Sequence, residues 1–239
     1  MNKKGLSVVL KSKIKSFKKI IKVDSDKSLS IRSFLIGSIC QNISSVVNVL
    51  ESEDVKSSIN ACRKLGVKIV RFKPGSYKIY GKGLGSLFAK KNLVIDFGNS
   101  GTLARLLIGI LSTTPNIKIK VTGDDSLKKR NMKKLVELMS EFGATFLPKN
   151  RYYFPLKIVS SEMPVGINYA AGVSAQLKSA VILAGLNSNG TTKIIEKIKS
   201  RDHTENLLKK NIKSINIKNG KKKIISVNGK KNLDKIKLN

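Results

Sequence analysis

The sequence predicts an α/β fold built from three βαβαββ units of about seventy residues each. Two observations carry that prediction. A helix, a Gly-marked turn and a strand hairpin recur three times along the chain, with further strand and helix patterns ahead of the recurrences. A unit with one apolar sheet face cannot bury that face alone, so three units are expected to pack around a pseudo-threefold axis, helices inside and sheets outside. With 41% apolar and 26% charged residues, the composition is that of a globular chain able to build such a core.

The elements are justified in chain order. A helix begins near Ser28, with Arg32 four residues on and on the same face. The first recurrence takes 59–65 as helix, Gly66 as turn, and 67–70 with 77–80 as hairpin. The apolar run 93–95 reads as a strand, the segment 96–101 as a tight turn, and the apolar run to Leu111 as a helix. After a strand at 117–121, Leu135, Leu138, Met139 and Phe142 recur at spacings of three and four, which marks one buried helical face. Gly143 and strands at 144–147 and 152–158 complete the second unit. The third has a helix at 176–186, a strand at 192–195, a helix at 206–211 and a hairpin of 215–217 with 224–227.

Composition narrows the function. Lys and Arg number 47 against 15 Asp and Glu, a net charge of +32. That balance invites a nucleic-acid reading. The lysines are spread along the whole chain, however, aromatics are only 5% of it, and no nucleic-acid-binding motif is present, so the charge reads as solvated surface with a minority focused on anionic ligands. Cys40 and Cys62 lie in apolar, helix-like surroundings without a ligand-spaced partner, so they read as inert core thiols, and neither a metal nor a cofactor is expected. No apolar run approaches the roughly 20 residues of a membrane span. The expected address is the cytoplasm.

The chemistry is concentrated in Asp96-Phe97-Gly98-Asn99-Ser100-Gly101-Thr102-Leu103-Ala104-Arg105. Backbone N–H groups at a Gly turn that opens a helix have no intrahelical partner, and Arg105 adds a fixed positive charge one turn in. That is an oxyanion cradle. Four further blocks stand around it: Asp26-Lys27-Ser28-Leu29-Ser30-Ile31-Arg32, the segment 122–130 ending in Arg130, Ser174-Ala175-Gln176-Leu177-Lys178, and Ser200-Arg201-Asp202-His203-Thr204-Glu205. In this order and spacing the set resembles the 5-enolpyruvylshikimate-3-phosphate synthases, the shikimate-pathway enolpyruvyl transferases. The resemblance runs from about residue 13 to the C-terminus.

It implies transfer of the enolpyruvyl group of phosphoenolpyruvate to the 5-hydroxyl of shikimate 3-phosphate by addition, a tetrahedral intermediate and elimination of phosphate. Lys27 would reach the reacting centre and touch both substrates. Ser28, Arg32, Ser174, Ala175, Gln176 and Arg201 would hold shikimate 3-phosphate with it. Asn99, Gly101, Thr102, Arg105, Arg130 and Gln176 would hold phosphoenolpyruvate. Gly101 would leave room for the phosphate, and glyphosate-tolerant relatives often carry Ala there. His203 reads as a hydrogen-bonded structural histidine at a helix start, and Asn131, where the family usually has Pro, is expected to loosen the start of the next helix.

Two rival readings are a UDP-N-acetylglucosamine enolpyruvyl transferase, which would show Lys-Asn in place of Lys27-Ser28 and a Cys-bearing loop, and a basic nucleic-acid-binding module. The resemblance also implies two lobes where this chain supplies one. Residues 1–24 are expected to be a strand segment, with strands around 7–10 and 18–21, and a hinge belonging to a second lobe, and 25–239 the first lobe, truncated or completed by a separate chain. With both substrates bound as small anions, a monomer with no nucleic-acid or membrane partner is expected, short of the acids that the family draws from the second lobe.

Overall fold

The computed structural model describes residues 7–9, 11, 13, 16, 18, 20–21, 23–209 and 213–238. The first unit contains α1 (Lys27–Ile39), β1 (Ile43–Val46), α2 (Glu53–Lys64), β2 (Lys68–Lys73) and β3 (Ser76–Tyr80). The second runs β4 (Val94–Asp96), α3 (Gly101–Thr113), β5 (Lys118–Thr122), the single turn α4 (Asp125–Lys128), α5 (Lys133–Glu141), β6 (Thr145–Leu147) and β7 (Leu156–Val159). The third runs β8 (Asn168–Ala171), α6 (Ala175–Gly185), β9 (Thr191–Glu196), α7 (His203–Leu208), β10 (Ile215–Lys218) and β11 (Lys223–Asn228), and β12 (Lys237–Leu238) follows.

Three four-stranded sheets share one plan. In the second unit β4 lies parallel to β5, which pairs antiparallel with β7, and β6 forms the far edge. The third unit repeats this with β8, β9, β11 and β10. In the first, β1, β3 and β2 take the corresponding places, and the leading position is filled from far along the chain. There β12 runs parallel to β1, with Ser45 opposite Lys237 and Val46 opposite Leu238.

The leading helix of each unit is buried, and the sheets face outward. Every residue of α3 except Arg105 is buried; α1 is buried from Ser30 to Ile39, and α6 from Lys178 to Gly185. A Cβ on Gly109 would sit 2.6 Å from the Ala180 carbonyl oxygen, so the α3–α6 approach requires glycine there. On the strands, Ile119 and Val121 face the core while Lys118 and Lys120 face solvent, and Lys157 and Lys193 occupy the same outward register in β7 and β9. Much of the basic charge is thus an outer-sheet face. Both cysteines are buried; burial pushes the Cys40 thiol up to about 12 and that of Cys62 to about 11.

The predicted units are all present, with shifted edges. The strand expected at 152–158 starts at Leu156, because Pro155 has no N–H to give the ladder. The helix expected at 206–211 is α7, which starts earlier at His203 and ends at Leu208; residues 210–212 lie outside the described residues. The strand pair expected at 7–10 and 18–21 falls partly outside them too. Its described members, Ser7, Val8, Val9, Lys18, Ile20 and Ile21, are exposed and belong to no strand.

Candidate functional site

The site forms where the three buried helices begin. Each starts at a side-chain cap: Asp26 Oδ1 accepts from the Leu29 amide at 2.7 Å, Ser100 Oγ from Leu103 at 3.2 Å, and Ser174 Oγ from Leu177 at 3.3 Å. The first turns of these helices then carry the predicted residues. Ser28, Arg32, Ser174, Ala175, Gln176 and Arg201 line one cavity of about 370 Å³, together with Val173, Ser200 and His203. Three separate stretches of sequence therefore meet in one polar cavity.

Arg32 is its most confined cation, 3% exposed. Its guanidinium donates to Thr204 Oγ1 at 2.8 Å, to the Ser28 carbonyl at 3.0 Å and to Ser179 Oγ at 3.2 Å, all neutral acceptors. Burial pulls its pKa down to about 10, against the opposing fields of Glu205 and Asp26 and with the help of Arg201. A buried cation without a carboxylate at ion-pair distance favours an incoming anion. Arg201 is exposed and faces the same cavity from the β9–α7 loop.

A second cluster adjoins it at the start of α3. The amide of Asp124 donates to the Gly98 carbonyl at 3.0 Å, which ties the β5–α4 turn to the β4–α3 turn. This brings Arg130 to Asn99, with Nη2 donating to Asn99 Oδ1 at 3.1 Å. Arg105 Nη1 donates to the Gly101 carbonyl at 3.1 Å and to Gln176 Oε1 at 2.9 Å, and Gln176 Nε2 donates to Thr102 Oγ1 at 2.9 Å. Gln176 belongs to both groups and joins them. A Cβ on Gly101 would meet Nη1 of Arg105 and Nη1 of Arg130, each at 2.8 Å. Burial, then the charge of Arg130, lowers the Arg105 pKa.

Lys27 stands apart. It opens α1, is half exposed, and its ammonium lies 3.1 Å from the Asp54 carboxylate on α2 instead of lining the cavity. Two other sequence expectations are revised. Asn131 does not loosen α5: its Oδ1 accepts from the Lys133 amide at 2.7 Å and its Nδ2 donates to Tyr153 Oη at 3.2 Å, so it fastens the helix start. His203 opens α7 as expected, but its half-buried ring lines the cavity and makes no hydrogen bond among the described residues.

Sequence reasoning placed Lys178, Thr204 and Glu205 inside its motif blocks without a supporting role, and it missed Glu196. Thr204 and Ser179 hold Arg32, and Lys178, wholly buried, pairs with Glu196 and Glu205. One signal was available: Glu196 falls on the inward register of β9 after Thr192 and Ile194.

A lobe of three such repeats with two adjoining cationic pockets at its helix starts is the architecture of one half of an enolpyruvyl transferase. Residues 11–239 match the family EPSP synthase (3-phosphoshikimate 1-carboxyvinyltransferase), and the chain belongs to that family. It is 42% identical over 198 residues to 3-phosphoshikimate 1-carboxyvinyltransferase of a Sulfurihydrogenibium species, covering 82% of this chain and 45% of that one. The enzyme of the same name from Paramagnetospirillum magneticum is 40% identical over 188 residues, covering 78% and 42%. A solved structure of EPSP synthase from Acinetobacter baumannii superposes with a TM-score of 0.81 at 35% identity, covering 91% of this chain and 49% of that one. The chain thus spans under half the length of these relatives, and the two rival readings are not favoured by the matches.

Proposed function

We propose that this chain is the shikimate 3-phosphate-binding lobe of a 3-phosphoshikimate 1-carboxyvinyltransferase, acting in the cytoplasm as a monomeric unit with a second lobe. The carrying observation is the cavity in which Ser28, Arg32, Ser174, Ala175, Gln176 and Arg201 converge. In this reading Arg32 and Arg201 neutralise the substrate phosphate, and the hydroxyls of Ser28 and Ser174 donate to it. Phosphoenolpyruvate lies against Asn99, Gly101 and Thr102, clamped by Arg105 and Arg130 and joined to its acceptor through Gln176. Lys27 turns from Asp54 toward the reacting carbon once both anions are present.

The division at residue 24 belongs to the same reading, with 1–24 assigned to the second lobe and 25–239 to this one. It is supported by the start of α1 at Lys27 and by the exposure of Val8, Val9, Ile20 and Ile21. For the cytoplasmic address, the support is that no helix among the described residues is long and apolar enough to cross a membrane.

Isothermal titration of the chain with shikimate 3-phosphate tests the reading. Saturable, weak binding is expected, and Arg201→Ala should weaken it by roughly 1.5–3 kcal/mol, the range of a charge-assisted contact. An exposed outer-sheet control such as Lys193→Ala should change it little. No saturation up to millimolar ligand, with the chain folded, overturns the reading.

A further inference from the structure

Among the described residues, Lys178 is the lysine that the fold withdraws fully from solvent. Its ammonium lies 2.8 Å from Glu196 Oε1 and 2.8 Å from Glu205 Oε1, and Lys223, 11% exposed, approaches the two carboxylates at 3.8 and 3.2 Å. Two cations balance two carboxylates. The second oxygen of each carboxylate is buried without a hydrogen-bond partner. A cluster that leaves acceptors unsatisfied is a poor device for stability, since apolar side chains of similar volume would do as well or better.

What the cluster does is join three walls of the cavity. Lys178 stands one turn into α6, and its amide donates to the Ser174 carbonyl at 3.1 Å. Glu196 ends β9, and its Oε1 also accepts from the Ser200 amide at 2.8 Å and from Ser200 Oγ at 2.6 Å. That folds back the loop carrying Arg201. Glu205 lies on α7 next to Thr204, whose Oγ1 receives Arg32 Nε. Burial alone would raise the Glu196 pKa, but the hydrogen bonds from Lys178 and Ser200 outweigh it and hold the group below its usual range, so it is a carboxylate at neutral pH.

We propose that Lys178, Glu196 and Glu205 are positioning residues that set Ser200, Arg201 and Arg32 in register for the substrate phosphate. The inference rests on the reading of the cavity given above. Each wall carries part of the anion-binding set, and the ammonium of Lys178 is the point at which all three are fastened. Without it the β9–α7 loop and α7 lose their common anchor, and the two guanidinium groups lose their relative placement.

The test uses the full chain with Glu196→Gln, which keeps the shape and one acceptor oxygen while removing the charge that holds Lys178. Two readouts are taken: titration with shikimate 3-phosphate, and amide hydrogen exchange at Ser200 and Arg201 in the free chain. Expected are a tenfold or greater loss of affinity while circular dichroism shows a folded chain, and faster exchange at Ser200. Ile158→Val, a core change in the second unit, should lower the melting temperature without either effect. Lys178→Met should match Glu196→Gln; where it does not fold, Glu205→Gln takes its place. Affinity within twofold of the unmodified chain, with unchanged Ser200 exchange, overturns the proposal. If the unmodified chain binds no shikimate 3-phosphate, the reading of the cavity fails. Exchange then decides the positioning alone: acceleration in Glu196→Gln upholds it, and no change overturns it.

Discussion

Arg32 and Gly101 contribute to the proposed anion site at single positions, one as a buried charge and the other as a missing side chain. Arg32 is 3% exposed and makes only neutral hydrogen bonds, so its charge is carried at a cost until a counter-charge arrives. Arg32→Met is therefore expected to leave the melting temperature unchanged or raise it, while reducing shikimate 3-phosphate affinity by roughly 10- to 150-fold, equivalent to about 1.5–3 kcal/mol. Calorimetry on the variant checks both halves, and a large fall in melting temperature would show that the guanidinium is structural. At Gly101 a methyl group would press on the far ends of the Arg105 and Arg130 side chains, which can swing aside by giving up hydrogen bonds to Gly101, Gln176 and Asn99. Gly101→Ala should consequently fold, and in a two-lobe enzyme it should lose affinity for glyphosate more than for phosphoenolpyruvate. Equal losses, measured as inhibition and Michaelis constants, would place Gly101 outside the anion cradle.

Among the elements, what was legible in the sequence was whatever writes itself in periodicity. The hairpins and the amphipathic α5 follow from alternation and three-four spacing, and α3 from its Gly turn and apolar run. The cavity set was legible for a different reason, since five short blocks in register point to common partners even when each is weak alone. What stayed hidden has no local pattern. Strand β8 is Asn-Tyr-Ala-Ala and β12 is two residues, and both exist because tertiary neighbours complete them; α4 is a single turn closed by its own Asp124 cap. The Lys178 cluster was hidden because its members come from four elements, α6, β9, α7 and β11, although the register of β9 put Glu196 inside. The α3–α6 contact is likewise a tertiary fact. Gly109→Ala drives a methyl into the Ala180 backbone at 2.6 Å and is expected to cost about 1–3 kcal/mol. At Gly37 the nearest atom is the movable Ile79 Cδ1 at 3.0 Å, so the loss should be smaller. Denaturant midpoints of the two variants test the order, and the reverse order would mean that α3 and α6 can part without strain.

Across the whole molecule, among the described residues, the arginines that face the proposed substrates make no ion pair while the nearby acids are engaged. Asp54 is paired with Lys27, and Glu196 and Glu205 are paired with Lys178. Proton transfer needs a group within hydrogen-bond reach of the reacting atoms. Given both substrates, this chain alone is expected to release no phosphate above background, and release should appear when a separately expressed second lobe is added. Robust release without that lobe would refute the division of labour. The parallel pairing of β12 with β1 has its own consequence for how the protein is made. On the ribosome β1 emerges well before β12, so its sheet lacks its leading strand until residues 237 and 238 have themselves left the exit tunnel, behind both other units. The nascent first unit must wait with one hydrogen-bonding edge bare, a stretch of unfinished backbone that a chaperone or a neighbouring nascent chain could seize. The cell thus meets this fold at its most vulnerable during synthesis, and the arrival of β12 ends that exposure.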